Sequence, residues 1–283
     1  AEILNRTKDQ WKGKVKLVFQ PAEENGGGGR EMIKAGLMDE IPDACFALHV
    51  ENGVPGKIVV GSRYLTAYSD SYKITVHGKA AHSSTPEEGV DAVYIAASIV
   101  TALHGIISRN LSPMDRATLN VGMIHGGTAP NIIADEVTLG VMLRNLSKES
   151  REAMMKKIET ISNGIAESMG GSCDLAFRAG YAAVYNDEKF SDFVAATFRK
   201  YEDIIHVDLG DGKPEDWLIT GEHPLLGAED FGFYSQKAPS CMIWVGVGGN
   251  SPKHSPGFCI DERYIKLCTR AMAMTALEYL TKE

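Results

Sequence analysis

The hydrophobic rhythm of the chain changes twice along its length. The run Val15-Lys16-Leu17-Val18-Phe19 and the stretch DACFALHV over residues 43–50 are nearly continuous apolar segments. Such runs read as strands buried on both faces, as in a parallel sheet. Between them REMIKAGLM (residues 30–38) predicts a short helix, and the alternation of strand and helix is α/β grammar. From about residue 68 the period shortens. Tyr72, Ile74 and Val76 alternate as in a half-buried strand. Val93, Ala96, Val100, Leu103 and Ile107 then recur at helical spacing. Two more alternating runs follow, Ala117-Leu119-Val121-Met123 and Val137-Leu139-Val141-Leu143. A long helix carries Met154, Ile158, Ile161 and Ile165 on one face, and CDLAF (173–177) closes the segment as a strand. The order β-α-β-β-α-β is the ferredoxin-like pattern.

After this segment the buried texture resumes: a helix near 188–201, the strand CMIWVGV (241–247) and a last helix near 261–281. The expected fold class is therefore α/β, with a ferredoxin-like domain over residues 67–179 inserted into an α/β domain formed by residues 1–66 and 180–283.

Composition narrows the function. A chain of 283 residues with 44% hydrophobic and 23% charged residues is that of a globular protein. The net charge of −8 argues against nucleic acid as a partner, because phosphate binding needs a basic face. No apolar run approaches the roughly 20 residues of a membrane span; CMIWVGVGG is far shorter, so no membrane partner is expected. The opening AEILNRTKDQWKGK lacks the pattern of a signal peptide. Five cysteines without a C-x-x-C pair read as reduced thiols, which places the protein in the cytoplasm.

Candidate chemistry concentrates in FQPAEENGGGG, residues 19–29. The glycines suggest a phosphate loop, but a P-loop needs Lys and Ser or Thr directly after them, and here Arg30, Glu31 and Met32 follow. The adjacent carboxylates Glu23 and Glu24 would repel a polyphosphate. They follow a predicted strand end, where open α/β sheets place their ligands. On an extended segment neighbouring side chains diverge, so one carboxylate could ligate a metal while the other serves as a general base. His49 ends the next strand and His254 lies in the PKHSPGF loop after the strand at 241–247. Glu24, His49 and His254 make a partial zinc-type ligand set, although each alone has an ordinary structural reading.

The segments FQPAEENGGGGREMIKAGL, ALHV, HGKAAHSSTPEEGVDAV, GGTAPNIIADEVTLGVMLRN, GAEDFGFY and KHSPGF stand in this order. Together they resemble the M20 metallopeptidases, over essentially the whole chain. The likeness is greatest to the amidohydrolase branch of N-acyl-amino-acid amidohydrolases, hippurate hydrolases and auxin-conjugate hydrolases. The resemblance implies Glu23 as general base and Glu24, His49 and His254 as ligands of a divalent metal, two ions per site in the family (Zn, Mn, Co or Ni). It implies that the inserted domain is a lid through which the protein forms a homodimer, with His82 stabilising the oxyanion. Asn131 and Arg144 match positions near the substrate. Arg144 suits a substrate carboxylate through its bidentate geometry, against the ordinary alternative of a surface ion pair; Asn131 could equally cap a turn. Glu229, with Asp230, falls in the EDF loop beside the site. His77, His104, His125, His206 and His223 match no ligand position.

The resemblance also implies an earlier H-x-C-G-H-D-x-H motif, upstream of the glutamates, that completes a two-metal site. This sequence does not contain it, so the chain is expected to be a fragment or a shortened relative with reduced metal occupancy and little activity. The substrate implied is an N-acyl amino acid. Alternatives are a dipeptide, an N-acetyl-diamino acid, or a non-catalytic dimerising role.

Overall fold

The computed structural model describes residues 1–206, 210, 213–249, 251 and 253–281, and of residues 25–26 the backbone alone. Two compact units divide the chain: Ala1–Leu65, Val184–Leu225 and Asp230–Glu283 form the first, Thr66–Ala183 and Leu226–Glu229 the second. The first unit opens with α1 (Glu2–Arg6), α2 (Glu23–Gly26) and α3 (Gly28–Lys34), then β1 (Cys45–Glu51), β2 (Ile58–Gly61) and β3 (Arg63–Tyr64). The second contains β4 (Tyr68–His77), β5 (Ala81–His82), α4 (Ala92–Asn110), β6 (Ala117–Gly126), β7 (Ile132–Ile133), β8 (Glu136–Asn145), α5 (Lys148–Ser168) and β9 (Ser172–Tyr181). The chain then returns to the first unit with β10 (Tyr185–Asn186), α6 (Glu188–Lys200), α7 (Glu202–Ile205), β11 (Leu218–Gly221), α8 (Phe231–Ser235), β12 (Ser240–Gly246) and α9 (Arg263–Leu280).

The first unit is built on a sheet of order β1-β12-β2-β11. It is mixed rather than purely parallel: β12 runs parallel to β1 and antiparallel to β2, and β2 runs parallel to β11. Every residue of β12 is buried. Cys241, Ile243 and Val245 join the cluster of Phe198, Leu267 and Ala271 from α6 and α9. Met242 and Trp244 join that of Phe231 and Tyr234, with Ile33 and Leu37 packed against it. Both faces are covered, which is why this strand reads as an unbroken apolar run.

The strand expected at residues 15–19 does not form. Residues 14–22 have no regular structure, and Val15, Leu17, Val18 and Phe19 are exposed, Phe19 to 85%. A β-branched run becomes a strand only when a neighbour offers its backbone groups. Here the segment is held instead by side chains, with Lys14 on Glu40 at 2.7 Å and Lys16 on the Leu37 carbonyl at 2.9 Å.

The second unit is a four-stranded antiparallel sheet of order β6-β8-β4-β9 with α4 and α5 packed on it, the ferredoxin-like arrangement. Asp91 caps α4 by accepting from the Val93 and Tyr94 amides, and Ser147 caps α5 from Ser150. The buried stripe of α4 is Ala92, Ile95, Ala96, Ile99, Leu103 and Ile106. Val93, expected inside, is exposed, and Val100 and Ile107 lie at the margin. This helix is apolar on nearly every side, so periodicity alone does not fix its inner face. Among the described residues α4 is also the one helix long and apolar enough to cross a membrane, longer than the run CMIWVGVGG; its stripe is the packing face of this core. In β6 the pairing shifts between Val121 and Met123, and the bulge turns Met123 outward.

An ion pair between a buried carboxylate and a partly buried arginine ties this unit together. Arg151 of α5 grips Asp70 of β4 through two bonds, Nε–Oδ2 at 2.6 Å and Nη2–Oδ1 at 3.0 Å, and its guanidinium lies over the Tyr68 ring. Asp70 is almost fully buried. Removing one member of a buried pair strands the other and costs more than removing both. Asp70→Ala is therefore expected to destabilise the second unit by about 3 kcal/mol, and Asp70→Ala with Arg151→Met by less than half of that. Chemical denaturation followed by circular dichroism checks this, and equal losses in the two variants would contradict it.

Candidate active site

The paired glutamates stand where the chain doubles back on itself. Ala22 takes the left-handed conformation (φ +53°) and leads into α2, so Glu23 and Glu24 occupy a first helical turn rather than the extended segment expected. Neighbours on a helix still diverge, by about 100°. Gly27, at φ +68°, breaks the turn and starts α3. A Cβ on Gly28 would sit 1.8 Å from the Pro21 carbonyl oxygen, and one on Gly29 2.8 Å from Gln20 Oε1. The glycine run is thus a site of close backbone approach, not a loop open for phosphate.

Asp230, fully buried, lies against this turn. Its Oδ2 accepts from Gln20 Nε2 at 2.7 Å and from the Gly29 amide at 3.0 Å, while Gln20 Oε1 accepts from the Tyr234 hydroxyl at 2.6 Å. Burial pushes the Asp230 carboxyl up, against the pull of the Gly29 and Gly28 amides and the Arg30 charge. Glu23 is half-buried, and its carboxyl is also pushed up, first by burial and then by the charges of Glu24 and Asp230. The Asp230 backbone N–H and His49 pull it the other way.

Glu24 and His254 are brought together, with Oε1 3.2 Å from Nδ1 and both side chains exposed. His254 is itself left-handed (φ +62°), the kind of backbone that neighbouring contacts must hold. Residues just after His49 do so. Asn52 Nδ2 donates to the Ser251 carbonyl, Glu51 pairs with Lys253 at 2.7 Å, and the Lys253 ammonium lies 5.7 Å from the Trp244 ring centroid. Nothing in the local sequence announced these ties.

His49 packs edge-on against Trp244 and places Nδ1 2.6 Å from the Val50 carbonyl oxygen. A carbonyl only accepts, so the proton sits on Nδ1 and Nε2 keeps its lone pair. That is how metal-ligating histidines are commonly oriented. The donor types suit a divalent metal of the zinc class. Convergence is partial: among the described residues no three His, Cys, Asp or Glu side chains gather closely enough to hold an ion, and His49 stands apart from the Glu24–His254 pair.

His82, Asn131 and Arg144 belong to the second unit. The short ribbon of β5 and β7 pairs His82 with Ile132, and the Ser83 amide donates to the Asn131 carbonyl at 3.0 Å. His82 Nδ1 receives the Ser84 amide (3.2 Å) and lies 2.8 Å from the Ser84 hydroxyl. An amide only donates, so the proton of the neutral ring sits on Nε2. Arg144, half-buried on β8 between Ser69 and Thr118, has its pKa lowered by burial. Its Nη1 is buried with no hydrogen-bond partner among the described residues. Glu229 is buried immediately before Asp230. Of the remaining histidines, His77 bridges Asp174 and Glu136, His206 bonds the Gly56 carbonyl, and His104, His125 and His223 are exposed.

An α/β unit that presents a paired-glutamate turn and two histidines thus stands in one chain with a ferredoxin-like unit. A peptidase dimerisation domain of the M20 type matches residues 67–169. The chain is 31% identical to thermostable carboxypeptidase 2 of Saccharolobus solfataricus, over 100% of its own length and 70% of the relative's. It is 28% identical to N-acetylcysteine deacetylase of Bacillus subtilis, over 98% and 69%. Its structure is similar to that of a protein of methicillin-resistant Staphylococcus aureus (TM-score 0.87, 29% identity, 98% of this chain and 69% of that one). It is also similar to the Bacillus subtilis YXEP protein, described as a dinuclear metal-binding peptidase (TM-score 0.80, 25% identity, 98% and 68%). The chain belongs to the M20 peptidase family, a family of hydrolases.

The two histidines are expected to hold opposite tautomers. Nitrogen-15 shifts above pH 7 should report Nδ1–H for His49 and Nε2–H for His82, and Ser84→Ala, which keeps the amide that faces His82 Nδ1, should leave both tautomers unchanged. The same tautomer at both positions would contradict the hydrogen bonding described.

Proposed function

We propose that the chain carries the machinery of a metal-dependent amidohydrolase that cleaves the amide bond of N-acyl amino acids. The observation that carries this reading is the Glu24–His254 contact one residue from Glu23, at the turn that Gln20, Gly29 and Asp230 hold together. Glu24, His254 and His49 would hold the metal, and the YXEP relative supports a two-ion site. With two donors in contact, occupancy in this chain is expected to be reduced. A bound divalent ion supplies Lewis acidity toward water and the amide carbonyl.

The residues then divide the work. Glu23 takes a proton from the attacking water and delivers it to the leaving amine nitrogen. His82 offers its Nε2 proton to the oxyanion. Arg144, whose buried Nη1 lacks a partner among the described residues, receives the substrate carboxylate, with Asn131 and Glu229 lining the substrate. A dipeptide is the second reading, favoured by the carboxypeptidase relative; a panel of N-acyl amino acids, N-acetyl-diamino acids and dipeptides separates them. The five free thiols suit a reducing compartment such as the cytoplasm.

Glu23→Gln is expected to abolish turnover, by about a thousandfold or more, while zinc binding by calorimetry stays unchanged. Glu24→Ala and His254→Ala should instead weaken zinc binding. Equal loss of binding in all three would show the base and ligand roles to be misassigned.

The second unit is read as the lid and as the homodimer contact, supported by the dimerisation-domain match. Strand β6 lies at the sheet edge and turns Met123 and Ile124 outward, and an open apolar edge invites pairing. Ile124→Asp is expected to convert a dimer to a monomer by light scattering. A variant that stays dimeric would move the contact elsewhere.

A further inference from the structure

We propose that Asp230 is the positioning residue of the catalytic-glutamate turn, gripping the chain on both sides of Glu23 and Glu24 at once. The inference rests on the reading of Glu23 as the base and assigns the group that sets its place. Asp230 Oδ2 accepts from Gln20, three residues before Glu23, and from the Gly29 amide, five residues after Glu24. Its own backbone N–H bonds the Glu23 carboxylate. One residue therefore fixes the entry to the turn, its exit and the base itself.

The grip on Gln20 is matched to an amide. Asp230 precedes α8 and Tyr234 lies one helical turn later, so carboxylate and phenol face the same way. The side-chain amide of Gln20 donates its nitrogen to the carboxylate and accepts the phenol proton on its oxygen. Glutamate at position 20 would repel Asp230, and an aliphatic residue would leave both partners unpaired.

Between the two grips lies Ala22 at φ +53°, a backbone conformation that a residue with a Cβ avoids unless its surroundings impose it. Gly28 and Gly29, with no Cβ, let the two legs of the turn close on Asp230. A carboxylate that merely capped α3 would need the Gly29 amide alone. The bonds to Gln20 and to Glu23 are the surplus that a positioning role explains.

The test uses the full chain with Asp230→Asn, which keeps shape and one acceptor, and Gln20→Ala, which removes the partner and leaves the buried acid in place. Hydrogen exchange resolved by peptide is the primary readout, independent of metal and of turnover. In both variants, exchange across residues 20–30 should rise by at least about tenfold while β12 and α9 keep their protection. The double variant should be no faster than the faster single one. Hydrolysis of an N-acyl amino acid should lose up to about a hundredfold in kcat with KM little changed, as for a displaced catalytic group. Unchanged exchange at 20–30, or a rise spread evenly over the first unit, would overturn the proposal. If the unaltered chain hydrolyses no amide, the assignment of Glu23 fails, and the exchange result still decides whether Asp230 holds the turn.

Discussion

The bond from the Gly29 amide to the Asp230 carboxylate joins parts of the chain 201 residues apart, and the geometry around the glutamates depends on it. A carboxylate taken fully out of water must be compensated. Asp230 finds its compensation at Oδ2, from the Gly29 amide and Gln20, and in the charge of Arg30, while Oδ1 is buried with no hydrogen-bond partner among the described residues. That requirement draws the two legs of the 20–30 segment together. It also explains the glycines, because any side chain at 28 or 29 would collide with Pro21 or Gln20 before the bonds could form. The same buried charge acts on Glu23, so one group shapes both the backbone and the electrostatics of the turn.

Much of this was legible in the sequence, and the exceptions have physical causes. The alternation in β4 and β8 is clean because one face of that sheet is packed and the other is not, so Tyr72, Ile74, Leu139 and Val141 fall inside as expected. The continuous run of β12 was equally plain, since both its faces are covered. Residues 15–19 carry the same signal without the same outcome, because propensity describes a segment and a strand is a relation between segments. Met123 fits the alternation on paper and escapes it through a bulge at Gly122, which no count of apolar positions detects. At the site, the residue types that could do chemistry were visible as motifs. The left-handed Ala22 and His254, and the contacts that hold them, depend on partners distant in sequence and could not be read locally.

The second unit owes little to the first for its interior. Its core is a single cluster of sheet and helix side chains, pinned by the Arg151–Asp70 pair where α5 crosses β4. Self-sufficiency of this kind lets a domain be inserted into another without disturbing either core. It also leaves polar groups on the sheet free for other work. Asp70 is paired in full, whereas Arg144, a neighbouring half-buried charge on the adjacent strand, keeps a buried guanidinium nitrogen unpaired among the described residues. A structural arginine would not normally be left in that state. The contrast between the two separates a charge spent on the fold from one that keeps an unspent donor.

A similar separation applies to the histidines. His206 and His77 spend their ring nitrogens on the fold, on a backbone carbonyl and on carboxylates of adjacent strands. Among the described residues His49 and His82 each engage Nδ1 alone, but in opposite senses. The Val50 carbonyl accepts a hydrogen bond from one, and the Ser84 amide donates a hydrogen bond to the other. The first is left with a lone pair at Nε2 and suits a cation; the second is left with a proton and suits an anion. Neither difference is encoded in the residue type. Each follows from one main-chain group beside the ring, so the backbone path of β1 and of the turn after β5 determines which neutral ring presents a lone pair and which a proton at Nε2.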